Sequence, residues 1–257
     1  MFRFIGRARR SPGASPDDRS NRAERILIGG IGAALPPLVY FLSVGLPPHH
    51  VADRWSRLPS ISSYYYTAGV AAFVGMLVTL ALFLFAYQGY ANRTWGRLDR
   101  IAARVAGTAA IGVAFFPTTL PGHTHYLAEP WWRQWMCYVH VGSAAVLFLS
   151  FAFFALVLFP RTGHSPPDAA KRRRDWFYRG CGVGILAALL WALLMFLTSH
   201  GHEADIFWPE TFALEFFAMS WLVKGRAPAL ISRQVKHVFA GPPPDLRGPA
   251  GPPRPAV

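Results

Sequence analysis

Six apolar stretches dominate this chain, and a water-soluble domain has nowhere to put them. Ile26–Leu46, Thr67–Tyr87, Trp135–Phe159 and Gly180–Ser199 contain no Asp, Glu, Lys or Arg. A helix needs about 20 apolar residues to cross the hydrocarbon core of a bilayer, so these four are candidate spans on length alone. The third stretch, Ile101–Leu120, is uncharged only from Val105, and Ile101–Arg104 must supply its other end. The sixth, Ile206–Val223, carries Glu210 and Glu215 but is followed by Lys224, Arg226, Arg233 and Lys236, the pattern of a cytoplasmic anchor. Charged residues make up 15% of the chain, against about 25% for a typical soluble domain. Disordered chains, disulfide scaffolds and ordinary cytosolic enzymes are excluded. The expected fold is all-α, a polytopic transmembrane bundle of six spans over residues 26–226. A basic cytoplasmic segment, 1–25, precedes it, and a Pro-rich tail, 227–257, follows and is expected to be disordered.

The basic residues fix the expected threading. Residues 1–25 hold seven Arg, 93–104 four, 161–179 six Lys or Arg, and 224–254 six, which is 23 of the 26 in the chain. They fall on alternate connections, leaving Arg54, Arg57 and Arg133 for the other side. Lys and Arg stay in the cytoplasm during insertion, so the expectation is a multi-pass inner-membrane protein with both termini cytoplasmic. The net charge of +13 then reads as topology plus attraction to anionic lipid heads, not nucleic-acid binding. Tyr64, Tyr65, Tyr66, Trp131, Trp132, Trp135 and Trp208 lie at expected outer boundaries, as interfacial aromatics do. The first span is too long for a signal-peptide core, and no cleavage site follows it. The Ala, Arg, Gly and Pro bias points to a GC-rich bacterial genome.

Ionisable groups inside a membrane are costly and therefore suspects for function. His140 lies a turn or so inside the outer end of the fourth span, with Ser143 on the same helical face. Counting from the basic anchors, Glu210 matches His140 in depth better than Glu215 does. A polar pocket on the outer face is expected from Ser62, Tyr65, His140, Ser143 and Glu210. Its readings are a structural hydrogen-bonded lock, a proton-handling or substrate site, and a hydrolase centre. His123/His125 and His200/His202 form two H-x-H pairs, the second followed by Glu203 and Asp205, and they offer ligands for zinc. The spacing matches no recognised metal motif, and the plain alternative is His used in short interfacial loops. Cys137 and Cys181 lie at opposite ends of their spans and cannot pair. Pro36-Pro37 should bend the first span. Gly180-x-x-x-Gly184 should admit a close helix contact. Lys171–Arg174 stops and orients a span, lipid-phosphate binding being a second role.

Several segments together resemble a family of uncharacterised bacterial six-helix integral membrane proteins marked by a P-S-I-S-x-Y-Y-Y motif. Pro59–Tyr66 carries that motif here and leads into Phe73-Val74-Gly75 and Phe83–Tyr87. Gly112–Thr118, His140 with Ser143–Ala145, and Lys171–Arg174 also match. So do Phe207–Thr211 and Ser220–Gly225. The likeness runs over residues 25–226 and implies six helices, including the weak sixth. It implies no activity. The Arg-Asp pair associated with the start of the second span is replaced by Ala68–Ala72, and the paired histidines lie outside the pattern. A looser likeness to ceramidase-type membrane hydrolases fails on the H-x-x-x-H pair, which this chain lacks in its late spans.

The function expected from all of this is non-enzymatic: lipid-facing sensing, scaffolding or assembly, with membrane lipids, a protein partner or a second copy as partners and no nucleic acid. The alternatives are a metal-dependent hydrolase acting on an outer-leaflet substrate and a small proton-linked transporter. Inverted halves and paired broken helices, the marks of many transporters, are missing.

Overall fold

The computed structural model describes residues 16–45, 57–89, 93–119, 133–161, 169–199 and 204–227. These residues are helical, with no strand among them. Six α-helices follow in order: α1 (Pro16–Gly45), α2 (Val70–Ala86), α3 (Arg93–Phe115), α4 (Gln134–Phe153), α5 (Ala169–Thr198) and α6 (Phe207–Lys224). A 3₁₀ turn, Ser62–Tyr66, precedes α2, and a π-helical turn, Phe154–Leu158, prolongs α4. Asn21–Gly45, Gln134–Leu158 and Ala169–Thr198 are long and apolar enough to cross a membrane; Val70–Ala86 is a shorter apolar helix.

Each helix packs against its neighbours in sequence, and α1 packs extensively on α6, so the six close into a ring. Close approach at that seam depends on small residues. A Cβ on Gly29 would stand 2.9 Å from the carbonyl oxygen of Ala218 and 2.8 Å from Leu222. Helix α3 does the same with alanine: Ala103, Ala106, Ala110 and Ala114 recur every three or four residues, all buried. Helix α3 reads as a weak apolar segment because Arg97, Asp99, Arg100 and Arg104 fall in its first half; the alanine run is what packs it against its neighbours. Of the two glycines at 180 and 184, only Gly184 is crowded, by the Phe216 ring; Gly180 faces open space. Pro36 and Pro37 lie inside α1, which continues through them to Gly45.

Burial is inverted relative to a soluble bundle on the outer faces. On α4 and α5, Tyr138, Val141, Val183, Leu190, Leu194 and Phe196 are all exposed. The ring interior is aromatic and aliphatic, with Phe151 and Phe217 stacked at 3.6 Å across its middle. Cys137 and Cys181 are both free thiols.

Candidate functional site

The residues ahead of α2 turn back over one end of the ring and tie helices together there. This cap is held first to the start of α6. The guanidinium of Arg57 donates both of its terminal nitrogens to the carboxylate of Asp205, at 2.6 and 2.5 Å. The same guanidinium lies over the rings of Phe207 and Trp208, at 5.0 and 5.8 Å. Ile206 N–H donates to Pro59 O at 2.7 Å. Ile61 N–H donates to Glu210 Oε2 at 2.6 Å. Alternate residues 57, 59 and 61 are thus tied to residues 205, 206 and 210, and a carboxylate placed in α6 serves a backbone amide that no helix could satisfy.

Within the cap, local polar groups replace the missing helical bonds. Ser60 and Ser63 share a hydroxyl hydrogen bond of 2.7 Å, and Ser63 N–H donates to Ser60 Oγ at 3.0 Å. Leu58 N–H donates to the buried Tyr64 hydroxyl at 3.3 Å. Thr67 Oγ1 donates to Tyr64 O and accepts from Gly69 N–H. These bonds close the turn that lets the chain enter α2. Tyr66 then reaches the opposite side, where its hydroxyl donates to Thr118 O at 2.6 Å, just past α3. At that exit Phe116 O is met at 2.6 Å by His140 Nδ1 from α4.

The expected pocket residues therefore fall into two groups. Ser62 and Glu210 belong to the cap and α6. Ser62 is buried beside Ile61, the residue whose amide Glu210 accepts. Tyr65 packs edge-on against Tyr66 and Phe73. His140 and Ser143 belong to the α3–α4 seam, with His140 buried and Ser143 directly opposite Gly112. Tyr66 bridges the groups. Depth arithmetic paired His140 with Glu210, whereas each takes a backbone partner instead: Phe116 O for the imidazole and Ile61 N–H for the carboxylate. A carbonyl and an amide stranded at helix ends were the better matches, and no residue letter announces them.

The Arg57–Asp205 pair was missed. The signal was present, because Arg57 is one of three cations outside the four basic clusters and Asp205 is the last acid before Ile206–Val223. Hydrogen bonding and the charge of Arg57 hold the Asp205 carboxyl below the usual carboxylate range. The same bond to Asp205 raises the Arg57 guanidinium. Burial pushes the Tyr64 hydroxyl up. The zinc candidates His123, His125, His200, His202 and Glu203 all lie outside the described residues. Among the described residues no group of three or more His, Cys, Asp or Glu could hold a metal ion.

The opposite end of the ring is built differently. Trp221, Tyr87, Phe154 and Phe159 meet there with centroids 5.2 to 6.0 Å apart, and all are fully buried or nearly so. Lys224, at the end of α6, donates to Phe159 O at 2.9 Å and lies 5.0 and 5.3 Å from the Phe159 and Tyr178 rings. An open pocket of about 300 Å³ adjoins it, lined by Arg25, Lys171, Arg174, Asp175, Tyr178, Val223, Lys224 and Arg226. Compared with known proteins, the chain matches no family model, no curated protein and no solved structure.

Proposed function

We propose that this chain is a polytopic inner-membrane protein with six spans and both termini in the cytoplasm, acting without catalysis as a lipid-facing scaffold or sensor. One observation carries the reading. Among the described residues, three polar side chains that a catalytic or transport site could use are committed to bonds that close the fold: Glu210 on Ile61, His140 on Phe116 and Arg57 on Asp205. A group locked onto backbone at 2.6 Å is a fastening, and a fastened end gives a rigid face to a partner. The exposed leucines, valines and phenylalanines of α4 and α5 favour lipid as their surroundings, since in water so large an apolar surface would drive association. The alternation of basic connections favours the threading.

Two experiments test this. An alkaline-phosphatase fusion after Arg57 should be active outside the cytoplasm, and an inactive fusion there overturns the orientation. For the role, the purified protein and its His140→Ala and Glu210→Ala variants should be reconstituted into liposomes holding a pH dye. The fastening reading expects both variants to unfold at lower temperature, with no proton flux in any of the three. Flux in the parent that disappears in either variant would replace the scaffold with a transporter.

A further inference from the structure

At the end of the bundle opposite the cap, three helices bring like charges together. Arg25 comes from α1, Lys171 and Arg174 from the start of α5, Lys224 from the end of α6, and Arg226 from the turn after it. Against these five cations the lining offers one carboxylate, Asp175, already 3.0 Å from Lys171. A second acid, Asp99, is buried nearby and acts on Lys224 from α3. Among the described residues the guanidiniums of Arg174 and Arg226 meet no carboxylate. Like charges held round a common opening repel one another, so the arrangement has a cost unless an anion enters.

The backbone shows the same cost a second time. Arg226 adopts φ +58°, in the left-handed region, where a side chain with a Cβ is disfavoured and glycine is usual. Gly225 stands just before it but is required elsewhere: a Cβ there would lie 2.7 Å from Ile26 Cγ1. Gly225 N–H donates to Trp221 O at 2.8 Å and Arg226 N–H to Val223 O at 3.0 Å, which ends α6 and turns Arg226 to the pocket. An arginine kept in a position that glycine would fill more easily marks a side chain wanted for itself.

We propose that this pocket binds a phosphate group, with the guanidiniums of Arg174 and Arg226 as its planar forks and Arg25, Lys171 and Lys224 completing the cationic wall. Guanidinium matches phosphate oxygens two at a time, and lysine adds point charge. The 300 Å³ opening equals about ten water molecules at their liquid volume, enough for a phosphate with an attached group. Phosphate reaches such a place as an anionic lipid head or as a soluble phosphorylated compound. This inference concerns the basic end alone and stands apart from the reading of the cap.

The test uses the full chain in a neutral detergent at constant ionic strength, so that general screening is held fixed. Melting temperature is followed while inorganic phosphate, or a short-chain phosphatidylglycerol in place of phosphatidylcholine, is titrated. A saturable rise with either supports the site. A rise with phosphate alone assigns a soluble phosphate, a rise with the lipid alone assigns a headgroup, and a rise with both assigns a site that reads the phosphate group whatever carries it. Arg174→Ala and Arg226→Gly should each weaken the apparent affinity about tenfold, the loss expected for a charge-assisted hydrogen bond. Arg173→Ala, an exposed neighbour outside the pocket lining, should leave it unchanged. Ligand-free Arg226→Gly should melt no lower than the parent, because glycine relieves the left-handed backbone. No saturable rise from either ligand overturns the proposal, as does an equal loss in Arg173→Ala, which would mean diffuse basic attraction.

Discussion

The two ends of the ring solve the same problem by different chemistry. Both must end helices whose last backbone groups have no helical partner. The cap end uses polar side chains on backbone: Glu210 takes the Ile61 amide, His140 meets the Phe116 carbonyl, and Tyr66 takes Thr118 O. The basic end uses packed rings, with Trp221 at the centre of Tyr87, Phe154 and Phe159, and lets Lys224 take the Phe159 carbonyl. The cap end consumes its polar groups internally. The basic end leaves cations around an opening. On the proposed reading, binding belongs to the second end and fastening to the first.

The comparison breaks most sharply at the aromatic centre. Trp221→Ala removes the ring that Tyr87, Phe154, Phe159 and Phe217 all touch. It should cost about 3–5 kcal/mol in chemical unfolding, the range for a buried Trp truncation. His140→Ala and Glu210→Ala should each cost less, about 1–3 kcal/mol, because each strands one buried backbone group. Glu210→Gln should recover much of the second loss, since its amide oxygen still accepts from Ile61; equal losses for Ala and Gln would mean that charge, not acceptance, matters. Glu210 and Trp221 lie eleven residues apart on α6, about 16 Å along the axis. Their combined variant should therefore be additive within about 0.5 kcal/mol, and a larger interaction would show the ends to be coupled.

The smallest effect belongs to the half-exposed pair. Arg57→Ala should cost about 0.2–1 kcal/mol, the range for an exposed ion pair. Its pH dependence has a definite sign. The folded-state pKa of Asp205 is depressed by Arg57, so the pair contributes fully above the ordinary value of 3.8 and its contribution is lost as pH falls through the lower folded value. Melting curves of the parent and Asp205→Asn should differ by a constant amount near neutrality and converge only below that value. Convergence at higher pH would assign the difference to another group.

The helices were largely legible because apolar length is a one-dimensional signal. Glu210 and Glu215 did not hide α6, as the basic residues after it framed the segment. Helix α3 was harder for a physical reason: Arg97, Asp99, Arg100 and Arg104 leave only its second half uncharged, although its Ala103, Ala106, Ala110 and Ala114 face is buried. At the site, the cost of burying ionisable groups drew attention to His140 and Glu210, but their partners are backbone atoms at helix ends, which every sequence contains and none displays. The cation pocket was less visible still. Lys171–Arg174 and Lys224 read as separate anchors until contact between α1 and α6 brings Arg25 beside them.

That contact between first and last helices also sets a timetable for biosynthesis. While the chain is being made, α1 has only α2 as a neighbour, and the seam around Gly29 stays open until α6 is delivered. Nearest-neighbour pairs can assemble as they emerge, but closure joins Gly29 to Ala218, 189 residues further on, and must come last. Nascent forms would thus be open arcs, with the glycine face of α1 uncovered to lipid or to an insertion factor. A ribosome-stalled chain ending before residue 207 should be degraded faster than one stalled after residue 227, with α6 as the segment that makes the protein durable.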